Sequence, residues 1–171
     1  MAELSAKEKL QPSLLDRLTD EESDSLQEAR DKRVLSMRGL RKAVLRDLGW
    51  LFNTAGLSSL QDMEKFPLAA QSVINYGFPD LSGKTSSGLD LAEVERRLRQ
   101  AIWDYEPRIL RDTVQVRASA IDDGGGNHNQ IIFEVHGELW GQPLPERLYL
   151  KTELDLEMGE IRVFDNDSRS N

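Results

Sequence analysis

The sequence contains no cysteine, which excludes disulfides, thiolate metal sites and cysteine nucleophiles and fits a reducing compartment. It has two histidines, His128 and His136, and no serine in a nucleophile-elbow setting beside either. No apolar run approaches the roughly 20 residues that span a bilayer. Residues 1–18, MAELSAKEKLQPSLLDRL, alternate charge with leucine and lack the apolar region and cleavage site of a secretory signal. The expected location is therefore cytoplasmic, with no direct membrane insertion. Positive charge is in deficit: 22 Lys and Arg against 30 Asp and Glu leave a net charge of -8. Without a segregated basic patch, duplex nucleic acid and anionic lipid are excluded as default partners.

What is present suits a globular chain of 171 residues, 39% hydrophobic and 30% charged, enough for one core. Residues 1–30 read as a flexible arm, 31–165 as one domain and 166–171 as a disordered tail. Within the arm, PSLLDRL is followed by TDEESDSLQEARD, an acidic, serine-rich stretch expected to be a solvated linker. Leu14, Leu15 and Leu18 lie at helical spacing and form an amphipathic turn that docks either on this chain or on another.

A long helix is expected from about Asp31 to Asn53. Met37, Leu40, Val44, Leu48 and Leu51 recur at steps of three and four, widened by Val34, Leu45 and Phe52. Arg38, Arg41, Lys42, Arg46 and Asp47 are expected on a solvated face. PLAAQSVINYGFPDLSG then predicts a short helix opened by Pro67, with apolar Leu68, Val73 and Ile74, closed by Gly77 in a left-handed conformation. Burial is expected for at least one of Tyr76 and Phe78, the rings flanking Gly77. A second long helix begins near Ser87 or Asp90, both with capping spacing. Leu91, Val94, Leu98, Ala101, Ile102 and Tyr105 form its core stripe, and Glu93–Arg97 and Glu95–Arg99 are pairs in the favourable order. Trp103 lies off the stripe and is expected at the helix's edge or an interface.

From Leu110 the period falls to two. Val114, Val116, Ala118 and Ala120 alternate with polar residues, as do Ile131, Phe133, Val135 and Leu139, then Leu148, Leu150, Leu154 and Leu156. A tight turn at Met158-Gly159 leads to a short last strand. One apolar face per strand implies an antiparallel sheet covered on one side. The expected fold class is α+β: N-terminal helices packed on one face of a C-terminal antiparallel β-meander of about four strands. DDGGGNHNQ, residues 122–130, joins two strands without feeding a helix N-terminus, so it is expected to be a flexible hairpin tip; neither cofactor nor metal is expected.

Between the second helix and the sheet lies IWDYEPRIL, where Pro107 stops the helix between Glu106 and Arg108. PSLLDRL, LRKAVLRDLGWLFNT, SVINYGFPDLSG, the helix ending in EPRIL and the terminal meander together resemble the baseplate wedge family shared by contractile phage tails and type VI secretion systems, whose secretion branch holds the TssE subunits. The resemblance spans about residues 12–165. It implies a fold like the strand-exchange domain of sheath subunits, and a platform on which the contractile sheath begins to polymerise. It further implies that Glu106, Pro107 and Arg108 contact the wedge's core bundle, and it matches the family's leucine motif at Leu14, Leu15, Asp16, Arg17 and Leu18. The expected partners are thus other wedge subunits and sheath subunits.

Two other function classes compete. A lysozyme-like enzyme needs two carboxylates flanking a cleft, one of them kept protonated. Asp104 and Glu106 are two residues apart at a helix end and point to different sides, and Arg108 favours the ionised form of Glu106. An adaptor for a regulatory protein is compatible with the same layout. No enzymatic activity is expected.

Overall fold

The structure, a computed structural model, describes residues 13–18, 36–81, 88–120, 130–141 and 144–165. The acidic stretch 19–31, Val34, Ser87, the loop 122–129, the tail 166–171 and the side chains of Arg17 and Ala120 lie outside the described residues. Helix α1 is the short Leu14–Leu18 turn. Helix α2, Met37–Phe52, begins at Ser36, whose extended backbone and hydroxyl cap the Gly39 amide. That cap corrects the expected start near Asp31: the apolar stripe extends N-terminally, but the capping residue sets the boundary. Its Leu40, Val44, Leu48, Leu51 and Phe52 are buried.

Helix α3, Pro67–Ala70, has proline in its first turn and breaks at Gln71, and a 3-10 turn follows at Val73–Asn75. Leu68, Val73 and Ile74 are exposed, because a helix of one turn gives no continuous face to set against the core. Gly77 has φ +137°, and a Cβ there would lie 2.2 Å from the Thr54 carbonyl oxygen. The Phe78 amide donates to that same oxygen at 2.7 Å, drawing NYGFPD against the end of α2. Phe78 is buried and Tyr76 partly so.

Helix α4, Leu91–Tyr105, is capped by Asp90, which accepts from the Ala92 and Glu93 amides. Val94, Leu98, Ala101 and Ile102 are buried. Glu93 pairs with Arg97 and also with Arg96. Glu95 does not pair with Arg99 as the spacing suggests; it accepts the Ala118 amide at 2.7 Å, because a strand lies within its reach. Trp103 donates to the Arg111 carbonyl, and the guanidinium groups of Arg99 and Arg111 lie over its ring at 5.7 and 4.8 Å from the centroid.

Strands β1 (Gln115–Ala120), β2 (Gln130–Leu139), β3 (Glu146–Asp155) and β4 (Ile161–Asp165) form one antiparallel sheet in the order β1-β2-β3-β4. Every second residue of β2 from Ile131 to Val135 is buried, as are Leu148, Leu150, Thr152 and Leu154 of β3. Helix α4 packs against β1 and α2 against β4, so both helices meet the apolar face at its two sides. The β3–β4 turn is held by Asp155, whose carboxylate accepts the Glu157 and Met158 amides, with Gly159 at φ +69°. The α+β reading from periodicity is the observed fold.

Candidate functional site at the helix-to-strand corner

Helix α4 ends where Glu106 donates its amide to the Ile102 carbonyl at 2.9 Å and Pro107 forbids another turn. The chain reverses at once: the Ile109 amide reaches back to the Glu106 carbonyl, and the Arg108 carbonyl accepts from the Trp140 amide just beyond β2. The corner is thereby tied to both the helix and the sheet. Pro107 is exposed and Arg108 half-buried, whereas Glu106 is only 3% exposed.

Burying a carboxylate requires compensating donors. Arg108 supplies them: its amide and its Nε donate to Glu106 Oε1 at 3.1 and 2.7 Å, and its Nη2 pairs with Glu106 Oε2. The same Nη2 also donates to Asp47 Oδ2 of α2 at 2.6 Å. Burial disfavours charge on Arg108, but the bonds and charges of Glu106 and Asp47 outweigh it and hold the guanidinium protonated well above its ordinary range.

The chain of charges continues outward. Arg46 Nε donates to Asp47 Oδ1 at 2.8 Å, and Arg46 Nη1 donates to Asp16 Oδ1 of α1 at 2.6 Å. Asp16 also accepts from the Ser13 hydroxyl at 2.6 Å. Burial pushes the Asp16 carboxyl up, but the hydrogen bonds from Ser13 and Arg46, with the charge of Arg46, hold it below the usual carboxylate value. Five charged residues therefore alternate in sign from α1 through α2 to the corner: Asp16, Arg46, Asp47, Arg108 and Glu106.

The network borders a cavity of about 280 Å³ lined by Ser13 and Leu15 of the arm, Arg46 and Trp50 of α2, and Glu106 and Arg108 of the corner. Tyr76 and Tyr105 close one wall, ring edge to ring face at 5.2 Å. Burial raises both hydroxyl pKa values, helped by Asp47 and Glu106 beside Tyr76 and by Asp104 beside Tyr105. Leu14 and Leu18, one turn apart, are 72% and 74% exposed. Helix α1 thus docks on its own chain through Asp16 and leaves two leucines outward.

The leucine motif and the Glu-Pro-Arg corner, separate in sequence, are brought to one cavity. Asp104 bonds to Gln100 and is exposed, so it does not share a cleft with Glu106. Sequence reasoning missed Arg46 and Asp47 as the link, since adjacent charges on a helix carry no local sign of a tertiary partner. It also placed Arg41 on a solvated face. Arg41 instead donates to Asp165 at 2.8 and 2.9 Å, to Glu146 at 3.0 Å and to the Arg147 carbonyl at 2.9 Å, pinning α2 to β3 and β4.

A two-helix cover on a four-stranded meander, with a buried Glu-Arg corner at the junction, defines a structural α+β module. The family model of the baseplate wedge protein gp25 matches residues 38–144, more than half of the chain. The chain belongs to that family, whose members are structural components of the baseplate wedge. The match includes α2, NYGFPD, α4 and the corner; α1 and strands β3 and β4 lie beyond it. No curated protein and no solved structure matches the chain significantly. Among the described residues no helix is long and apolar enough to cross a membrane.

Proposed function

We propose that this chain is the wedge subunit of a type VI secretion baseplate, of the TssE type, that links the wedge's core bundle to the contractile sheath and primes sheath polymerisation by strand addition. The observation that carries this reading is the Asp16–Arg46 bridge, which holds α1 with Leu15 lining the Glu106–Arg108 cavity and Leu14 and Leu18 exposed. Leu14, Leu15, Leu18, Pro107 and Arg108 form the surface for the core bundle, with Arg17 on the same helix. Glu106 acts from beneath by fixing the guanidinium of Arg108. Apolar side chains at such a surface contribute most when fully desolvated by a partner.

The sheet serves the sheath. An open antiparallel sheet ends in strands whose outward amides and carbonyls an extended arm can complete. In this reading residues 31–165 are the wedge domain, 1–30 the arm and 166–171 a tail, and the complex sits on the cytoplasmic side of the inner membrane. The chain works by assembly and not by catalysis: the two carboxylates lining the cavity, Glu106 and Asp47, are both committed to Arg108.

The experiment is co-purification of the full chain with purified wedge and sheath proteins, comparing wild type with Glu106→Ala, Arg108→Ala and a Leu14→Glu/Leu18→Glu pair. Loss of core-bundle binding with sheath binding retained supports the reading. Normal binding of every partner by all three variants overturns it. A muropeptide-release assay on the same proteins tests the catalytic alternative: turnover abolished by Glu106→Gln with the fold intact would replace this proposal.

A further inference from the structure

The two outer strands of the sheet are guarded differently. On β4, the Asn53 side-chain amide accepts the Ile161 amide through Oδ1 at 2.8 Å and donates through Nδ2 to the Ile161 carbonyl at 2.8 Å. One neutral amide group thus makes the two bonds that a residue of a neighbouring antiparallel strand makes. On β1, Glu95 covers the Ala118 amide alone; a carboxylate accepts but cannot donate to a carbonyl. Each outer strand has a helix packed beside it, α4 at β1 and α2 at β4, so the side-chain cover of the strand's backbone is what distinguishes the two.

Beside the Asn53 contact lies a cavity of about 230 Å³, lined by Phe52, Phe78, Pro79, Leu81, Leu154 and Ile161. Its rim residues Asn53, Asp80 and Met158 are exposed. The segment NYGFPD forms one wall, held there by the Phe78–Thr54 hydrogen bond and the close approach that only Gly77 permits. The wedge-core surface described above uses none of these residues except through Tyr76.

We infer that the outer edge of β4, Ile161–Asp165, is the edge that receives the added strand. Asn53 holds the place of the incoming backbone, and the NYGFPD cavity, with Asn53, Thr54 and Asp80 among its lining residues, seats one of its side chains. This rests on the strand-addition reading and specifies its site. An incoming peptide group replaces the Asn53 amide bond for bond, so the Ile161 amide and carbonyl are satisfied before and after exchange. The partner segment is extended, with apolar residues at alternate positions to continue the core face of Ile161 and Val163. Its outer face meets Arg162 and Phe164, both exposed, which favours an acidic and an aromatic or aliphatic residue there.

The test uses the full chain and purified sheath subunits. Because the Ile161 amide points away from β3, so does that of Val163, and Val163→Pro removes no bond to β3; Val116→Pro is the matching change on β1. The expected result is an affinity loss of about tenfold or more for Val163→Pro and for the cavity-filling Leu81→Trp, with Val116→Pro unaffected. Asn53→Ala, which frees the edge, is expected to bind as tightly as wild type or a few-fold tighter. Hydrogen exchange on the wild-type chain is a second readout free of folding defects: sheath subunits should slow the Val163 amide and not the Val116 amide. Protection at Val116, with binding lost in Val116→Pro and kept in Val163→Pro, overturns the β4 assignment and leaves strand addition standing. No protection at either strand and no effect of any variant removes strand addition itself.

Discussion

The Arg108 guanidinium and the Asp47 carboxylate, 61 residues apart in sequence, meet at 2.6 Å. Through this contact the corner that ends α4 is locked to the middle of α2, and the buried Glu106 acquires a neighbourhood in which its charge is tolerated. Arg108→Ala leaves Glu106 buried and unpaired, which costs about 3 kcal/mol or more. Chemical denaturation should show a lowered midpoint for Arg108→Ala. Arg108→Ala/Glu106→Gln should recover part of the loss, because the uncompensated charge is gone.

Helix α1 is too short to be stable alone, so its placement depends on Asp16. The folded Asp16 carboxyl titrates below its ordinary value of 3.8, so its contribution is present above that value and is lost as pH falls through the depressed one. Methyl NMR of Leu15 should report undocking of α1 in that acid range, below pH 4, while the core methyls of Leu48 and Leu98 are unchanged. Asp16→Asn should shift the α1 signals toward the undocked position at neutral pH.

Gly77 is required by geometry. An alanine there meets both an unfavourable φ of +137° and a Cβ only 2.2 Å from the Thr54 oxygen. Gly77→Ala should cost about 3 kcal/mol, and thermal melts should show the drop. Its effect on sheath capture should exceed that of an equally destabilising core change such as Leu98→Ala, because the β4-edge cavity is deformed with it.

Leu14 and Leu18 are largely exposed. Leu14→Glu/Leu18→Glu should leave stability within about 0.5 kcal/mol of wild type. Wedge assembly, followed by size-exclusion chromatography with the other wedge subunits, should fail. Retained assembly would show that the leucine motif is not a partner surface.

Most of the fold was legible in the order of residues. Three- and four-residue steps from Met37 and from Leu91 marked the two long helices, and the change to a two-residue step after Leu110 marked the sheet. Proline at 67 and 107 and glycine at 77 and 159 punctuated the chain where the backbone turns. The α3 region was less legible: residues 67–77 read as one short helix closed by Gly77, yet the helix breaks at Gln71 and a separate 3-10 turn follows. Of the candidate site, the Glu-Pro-Arg corner and the leucine motif stood out as sequences. Their meeting did not.

The sequence by itself determined the class of every main element, because hydrophobic periodicity, capping residues and backbone restrictions act within a few positions. It also carried the family, through NYGFPD and the corner. Only the tertiary structure decided which charges are paired. Arg41 with Asp165, Arg108 with Asp47 and Asn53 with Ile161 lie 124, 61 and 108 residues apart, and a hydrogen bond at that separation depends on how helices and sheet pack rather than on any local pattern. Those contacts turned a row of surface-like cations on α2 into the frame of the corner, and a helix-ending asparagine into the cover of a strand edge.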